Sequence, residues 1–244
     1  MSVGTGTERS ELLREGLEQA KEGAEALLRW ADASFGSQVS LASSFGAEDV
    51  VLIDLWRRVA SKPRIFTLDT GRLPEETHDV MERIRTKYGV TFDVYFPDTA
   101  QAERMVRDCG PNPFYQSVEL RKLCCRVRKV EPLGRALQGL SAWICGLRRE
   151  QAPTRAALAA VEVDEAHGGI LKLNPLVDWS TAEVWDYIRA HDLPYNALHD
   201  QGYPSIGCAP CTRAVEPGED IRAGRWWWES PESKECGLHV KEHR

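Results

Sequence analysis

Four of the seven cysteines in this chain fall into two pairs. Cys124 and Cys125 touch within Leu123-Cys-Cys-Arg-Val-Arg-Lys129, and Cys208-Ala-Pro-Cys211 lies far downstream. Four thiolates are enough to hold a [4Fe–4S] cluster or a zinc ion bound by sulfur alone. Zinc ligand pairs are separated by about two to four residues, which suits Cys208 and Cys211 but not the touching pair. The spacing therefore favours iron–sulfur over zinc, although Cys208-x-x-Cys211 alone would read equally as a redox pair or a chance spacing. Seven is an odd number, and in a reducing compartment such a pattern points to metal or catalytic thiols before a disulfide framework. Cys145, inside an apolar run, and Cys109, ending a helical pattern, read as packing residues.

The adjacent pair is surrounded by Arg121, Lys122, Arg126, Arg128 and Lys129. A run of cations is ordinarily a solvated helix face. Here it flanks thiolates, and a cluster held by four thiolates carries net negative charge that nearby cations stabilise. Cys236 stands apart, in Lys234-Glu235-Cys236-Gly237-Leu238-His239. A lone cysteine near a chain end is often incidental. With Lys234, His239, Arg222 and Arg225 available, its pKa could instead fall far enough to supply a nucleophilic thiolate.

These groups need elements to hold them. Gln38–Ala42, Arg64–Leu68, Thr91–Phe96, Ala142–Gly146 and Gly169–Asn174 have the length and the β-branched or aromatic content of strands. Between them run helical patterns: Glu11–Trp30, amphipathic; Glu48–Ala60, acidic at its start and basic at its end; and a helix opened by Pro74 and closed by Gly89. Ser180-Thr-Ala-Glu183 is a capping box, with Trp179 and Val184 at hydrophobic-staple spacing. Such alternation predicts an α/β fold, a parallel twisted sheet with helices on both faces, with ligands beyond the carboxyl ends of the strands.

Two strand ends carry polar turns. Ser43-Ser44-Phe45-Gly46-Ala47-Glu48-Asp49 can aim hydroxyls and backbone N–H groups at an anion, or can be an ordinary turn with Ser as N-cap. Leu68-Asp69-Thr70-Gly71 repeats the theme. Gly146 with Arg148, Arg149 and Arg155 follows a third strand, and an anionic substrate is the economical explanation for that basic set. From about residue 201 glycine, proline and charge rise. The expected organisation is a nucleotide-binding body over 1–200 with its N-terminal helix, and an arm over 201–244 carrying the second cysteine pair and Cys236, attached as one structural unit.

A length of 244 residues suits one large or two small domains, at roughly 100–200 residues each. The formal charge of −6 disfavours general nucleic-acid binding, and no apolar stretch is long enough for a membrane span or a signal core. The expectation is a cytoplasmic protein.

Taken in order along residues 38–241, these motifs resemble the assimilatory adenylyl-sulfate (APS) reductases of the phosphoadenylyl-sulfate/adenylyl-sulfate reductase family. They are the Ser43–Asp49 turn, Leu68–Gly71, Cys124-Cys125 with Lys129, Gly146-Leu-Arg-Arg149, Cys208-x-x-Cys211 with Arg213, Arg225-Trp-Trp-Trp-Glu229 and Glu235-Cys-Gly-Leu-His239. The resemblance implies an adenine-nucleotide α-hydrolase-like fold and one [4Fe–4S] cluster on Cys124, Cys125, Cys208 and Cys211. It also implies Cys236 as nucleophile and thioredoxin as electron donor, with APS converted to sulfite and AMP. Lys129, Arg222, Arg225 and His239 would offset the charge crowded at the reacting group. Ser43, Ser44, Gly46, Asp69, Thr70, Gly146, Arg149 and Arg155 would bind substrate. Relatives that use the 3′-phosphorylated substrate PAPS commonly lack the cluster cysteines, so APS is expected, with PAPS or dual use as the alternative. Rivals are an ATP pyrophosphatase of the same fold, whose S-G-G-x-D-S loop Ser44–Asp49 does not match, and a non-catalytic zinc module. The number of subunits and the role of Trp226–Trp228 stay open.

Overall fold

The computed structural model describes residues 6–230. The amphipathic pattern expected as one helix over Glu11–Trp30 is two helices, α1 (Gly6–Lys21) and α2 (Ala24–Phe35). Gly23 between them sits at φ 105, where a side chain would be strained, and ends the first helix. There follow β1 (Val39–Ala42), α3 (Ala47–Val59), β2 (Ile65–Leu68), α4 (Glu75–Tyr88) and β3 (Asp93–Tyr95). Next come α5 (Thr99–Cys109), capped by Asp98, and α6 (Val118–Cys125), capped by Ser117. A π-helical turn over Arg126–Val130 leads into α7 (Glu131–Ala136). The chain then forms β4 (Ala142–Ile144), β5 (Val161–Asp164), β6 (Ile170–Leu173) and α8 (Thr181–Ala190). The capping box opens α8 as expected: Ser180 Oγ accepts from the Glu183 N–H at 3.2 Å, and Glu183 accepts from the Ser180 N–H at 2.7 Å.

The strands form one sheet in the order β3-β2-β1-β4-β6-β5, flanked by helices. Pairings β1–β2, β1–β4 and β4–β6 are parallel, with Leu41 opposite both Ile65 and Ile144. The five strands read from the sequence are all present, each trimmed by one to three residues. β5 is the exception to the parallel pattern: it pairs antiparallel with β6 at the sheet edge. Val-Glu-Val-Asp carries two apolar residues and no strong turn signal before it, so its pattern is too short to read as a strand.

The chain divides into two compact units, each described by itself. Of the described residues, the first comprises 6–67, 79–93 and 137–196, and the second 68–78, 94–136 and 197–230. The arm residues 201–230 thus group with the segments that follow β2 and β3. The first unit's core consists of β1, β4 and β6 with α2, α3 and α8; Leu27, Leu28, Leu41, Leu52, Ile53, Ile144, Leu171 and Leu173 are wholly buried. Its strands are apolar on both faces, as a parallel sheet covered by helices requires. The second unit has a smaller core of Met105, Phe114, Val127 and Trp226 around Cys124 and Cys211. Among the described residues no helix is long and apolar enough to cross a membrane.

Candidate functional site

The turn after β1 in the first unit is tightly specified. Ser43 is buried; its N–H donates to the Phe66 carbonyl at 2.9 Å and its Oγ accepts from the Phe45 N–H at 3.1 Å. Phe45 adopts φ 59, unusual for an aromatic residue, and lies fully buried against Phe92. Ser44 donates through its N–H (2.6 Å) and its Oγ (2.8 Å) to the same carboxylate oxygen of Asp49. The N-cap of α3 is Gly46, with no side-chain capping bond, so neither serine serves as the cap. Burial pushes the Asp49 carboxyl up to about 6 against the opposing bonds from Ser44, and Glu48 adds to the rise.

Gly146, at the end of β4, is required by this carboxylate. A Cβ there would stand 2.5 Å from Asp49 Oδ1 and 3.0 Å from Glu48 Cβ. The three arginines beyond β4 are turned toward protein partners. Arg148, 3% exposed, donates to Glu48 Oε1 from Nε (2.9 Å) and Nη2 (2.8 Å), to Glu150 (3.1 Å) and to the Trp179 carbonyl (2.9 Å). Arg149 donates to the Leu158 carbonyl at 2.8 Å and pairs with Asp178, and Arg155 bonds Gln151. For Arg148 the expectation of an anion-facing group is corrected: two carboxylates within the unit already neutralise it.

In the second unit the turn after β2 is organised by Asp69, which accepts from the Gly71 N–H at 2.8 Å and contacts His78 Nε2 at 3.0 Å. Thr70 faces the cysteines: its Oγ1 lies 3.2 Å from Cys208 Sγ, and its carbonyl accepts from Arg128 at 2.7 Å. Cys124, Cys125, Cys208 and Cys211 line one cavity, together with Arg72, Arg128, Lys129, Arg225 and Trp226 among others. Two features of local structure achieve this. The last turn of α6 presents Cys124 and Cys125, and the π turn that follows widens the helix so that Arg128 and Lys129 line the same space. Opposite, Cys208 starts the short 3-10 turn Ala209–Cys211, and the Cys211 N–H donates to the Cys208 carbonyl at 2.9 Å.

The basic run around the first pair is thus split. Arg121, Arg128 and Lys129 line the cavity, whereas Lys122 and Arg126 are exposed. Arg225 is buried, donates to Ser205 Oγ (3.3 Å) and the Ile206 carbonyl (3.2 Å), and lines the cavity. Arg222 lies at the turn before it, half-exposed, its N–H donating to Asp220 at 2.8 Å. Cys236 and His239 lie outside the described residues. Cys145 is fully buried and its thiol is pushed far up by burial, as expected of a packing residue, whereas Cys109 ends α5 half-exposed.

Sequence reasoning missed several residues of this cavity. Trp226 is buried with Arg121 and Arg225 over its ring, at 4.7 and 5.0 Å. Trp228 Nε1 donates to the Phe114 carbonyl at 3.1 Å, and its ring lies 4.5 Å from Tyr115. Two of the three tryptophans therefore build the cavity's wall and its support. Arg72 and Phe114 also line it. Nothing in their local sequence sets them apart.

Cofactor fit rests on the donor set. Four cysteine thiols face the cavity, no carboxylate or imidazole is among its described lining residues, and among the described residues Trp226 Nε1 is buried without a hydrogen-bond partner. Four sulfur donors on a cavity whose described lining holds no carboxylate suit an iron–sulfur cluster or zinc, not a hard cation. Among the described residues no three such side chains are drawn into coordinating range of one centre. Burial pushes the Cys124 thiol up and takes Cys211 to about 12, with Cys208 adding to both. Without a bound cation these thiols stay protonated at neutral pH.

The phosphoadenosine phosphosulfate reductase domain model matches residues 38–214. The chain belongs to that family. It is 57% identical over 204 residues to the adenosine 5'-phosphosulfate reductase of Allochromatium vinosum, covering 84% of this chain and 79% of the relative. The same-named protein of Neisseria meningitidis is 52% identical, covering 81% and 80%. A probable chloroplastic 5'-adenylylsulfate reductase of rice is 46% identical over 92% of this chain, which spans about half (49%) of that longer protein. The crystal structure of phosphoadenylyl-sulfate (PAPS) reductase from Candida auris, a phosphate complex, superposes with a TM-score of 0.73 at 27% identity, covering 88% of this chain and all of that one. This family member therefore has the α/β architecture expected from its strand and helix alternation.

Proposed function

We propose that this chain reduces adenylyl sulfate to sulfite and AMP in sulfate assimilation, with a thioredoxin-class dithiol protein as electron donor. The observation that carries the reading is the gathering of two cysteine pairs, distant in sequence, on one cation-lined cavity in a chain 57% identical to an adenosine 5'-phosphosulfate reductase. The Cys236 thiolate attacks the sulfur of the sulfate group. A sulfur–sulfur bond forms, the sulfur–oxygen bond to the nucleotide breaks, and AMP leaves with the electron pair. A thiolate of the donor then attacks Cys236 and releases sulfite, and its second thiol closes the donor disulfide, so the two electrons come from the dithiol.

Each group of the chain has a task in this scheme. Lys129, Arg222, Arg225 and His239 offset the negative charge where an anionic thiolate meets an anionic substrate. Ser43, Ser44, Gly46 and Gly146 form the nucleotide's cradle on the first unit, with Arg149 and Arg155 beside it; Asp69 and Thr70 serve the second. Cys124, Cys125, Cys208 and Cys211 hold one [4Fe–4S] cluster. When bound, the cluster supplies a fixed charge and a rigid frame, and it is not asked to pass electrons. The chain works in a reducing compartment such as the cytoplasm, where a cysteine set of this spacing binds metal before it forms disulfides.

The test is sulfite release from APS and from PAPS, with a visible spectrum, iron analysis and mass spectrometry after mixing with APS alone. The expected results are a brown protein, an SO3 adduct on the peptide containing Cys236, and faster turnover of APS. The Candida auris likeness favours PAPS as the competing substrate, and faster PAPS turnover would replace the reading by that one. A colourless protein with one zinc per chain, or ATP consumption with pyrophosphate release, would overturn it.

A further inference from the structure

The second unit holds one buried ion pair that the proposed reaction does not use. Arg121 on α6 is 1% exposed, and its Nε and Nη2 donate to Glu229 Oε1 and Oε2 at 2.9 and 2.8 Å. Both side chains are withdrawn from water, where desolvation offsets the attraction, and in some proteins such a pair fixes one arrangement instead of adding stability. What it fixes is visible. The guanidinium lies over Trp226, on the same ring that Arg225 contacts, and Arg121 itself lines the cysteine cavity one helical turn before Cys124 and Cys125.

Trp226 stands at φ 41, a strained conformation for a bulky residue. Strain of this kind persists only where the surroundings impose it. Here the Trp226 N–H donates to the Cys211 carbonyl (3.2 Å), the Glu229 N–H donates to the Trp226 carbonyl (2.9 Å), and the Glu229 carboxylate is held by Arg121. The turn 226–229 is thereby tied at one end to the second cysteine pair and at the other to the helix that carries the first. Its end, Glu229, is also the last buried residue described before the segment that contains Cys236.

We propose that Arg121 and Glu229 are positioning residues of the cysteine site. Their bidentate pair clamps the strained Trp226 turn against α6, so that Trp226 and the Arg225 guanidinium are held in the wall of the thiol cavity. The clamp touches no substrate. For its effect on the reaction the inference rests on the function proposed above; for its effect on the cavity it stands independently.

The experiment uses the full chain, purified with iron, as wild type, Glu229→Gln and Arg121→Lys. Glu229→Gln keeps the size and one acceptor but removes the charge; Arg121→Lys keeps the charge but removes the fork. Three quantities are read: the rate at which a chelator strips iron, the visible spectrum before stripping, and the rate and APS-concentration dependence of adduct formation on Cys236. Both variants are expected to lose iron about tenfold faster with a displaced visible band, a loss set by the charge-assisted bonds removed. Adduct formation at saturating APS is expected to slow about tenfold while half-saturation moves less than about threefold, because the clamp acts on the cavity and not on nucleotide binding. A lowered melting temperature with wild-type chelator resistance, spectrum and adduct rate would make the pair merely structural and overturn the proposal. If Glu229→Gln does not fold, Arg121→Lys carries the test, and wild-type behaviour of that variant overturns it equally. A wild-type chain that forms no adduct would sink the proposed function while leaving the chelator and spectral readouts to decide the clamp.

Discussion

Asp49 makes a stability prediction whose sign and size follow from its burial. The carboxyl is enclosed behind Ser44 and Gly146, and burial outweighs the two bonds from Ser44, so its pKa stands at about 6 instead of the ordinary 3.8. The raised value belongs to the folded chain. Below about pH 4 both folded and unfolded chains hold the proton, and Asp49 contributes nothing to the pH dependence. Between about pH 4 and about pH 6 only the folded chain holds it, so stability falls as pH rises. Above that window the folded chain buries an anion at a constant cost of about 3 kcal/mol, the pKa difference multiplied by about 1.4 kcal/mol per unit. Asp49→Asn has no proton to lose, and its amide oxygen can still accept from Ser44. Its loss of the stronger ionic bond is already contained in the pKa difference. Urea unfolding of wild type and variant at matched pH isolates this carboxyl, because other titrations cancel in the difference. The variant is expected to gain about 3 kcal/mol relative to wild type between pH 4 and pH 7, with most of the change near pH 5. A difference that stays level across that range, or slopes the other way, refutes the reasoning.

Three further outcomes test other parts of the structure. Gly146→Ala places a methyl group 2.5 Å from Asp49 Oδ1 and is expected to lower stability by about 1–3 kcal/mol in urea unfolding, an outcome that unchanged stability would contradict. Lys129→Ala is expected to slow adduct formation roughly a hundredfold in single-turnover measurements, since it removes a cation from the wall of the thiol cavity; an unchanged rate would return this lysine to the solvated face. Cys236→Ser should abolish both sulfite release and the SO3 adduct while iron content stays at the wild-type level, and retained turnover would rule out this thiol as nucleophile.

The sequence displayed the chemistry of the cavity better than its construction. Cysteine is rare and its spacing chemically restrictive, so Cys124, Cys125, Cys208 and Cys211 could be paired before any fold was known, and they do share one cavity. The strands were legible because the parallel core needs runs of apolar residues, and the helix break at Gly23 had a visible glycine. Partners distant in sequence were not. Arg148 looked like its neighbour Arg149, yet a carboxylate a hundred positions away determines that it turns inward. Likewise Arg121 and Lys122 are adjacent cations, and only the phase of α6 sends one to Glu229 and leaves the other in water. Trp226 to Trp228 carry three identical side chains with three different exposures, set by a backbone conformation that composition does not encode.

The charges around the cysteines carry one more consequence. Arg72 is held by the Pro111 carbonyl (3.0 Å) and Asn112 (2.6 Å), and Arg128 by the Thr70 carbonyl (2.7 Å), all neutral acceptors. Such bonds satisfy the donors with neutral groups, and among the described residues neither arginine has a carboxylate partner. With the raised Cys124 and Cys211 thiols holding their protons, Arg72 and Arg128 are like charges on one cavity wall; with metal-bound thiolates in place, the same cations would face anions. Arg128 should then change the sign of its contribution with the metal. In iron-loaded chain Arg128→Gln is expected to lower the melting temperature, because an attraction is lost. In chelator-treated chain the same substitution is expected to raise it, because a repulsion between Arg72 and Arg128 is relieved while glutamine can still donate to Thr70. The crossover is read by melting both proteins with and without iron. A shift of the same direction in both states would mean that the cations answer to the protein alone and not to what the four cysteines hold.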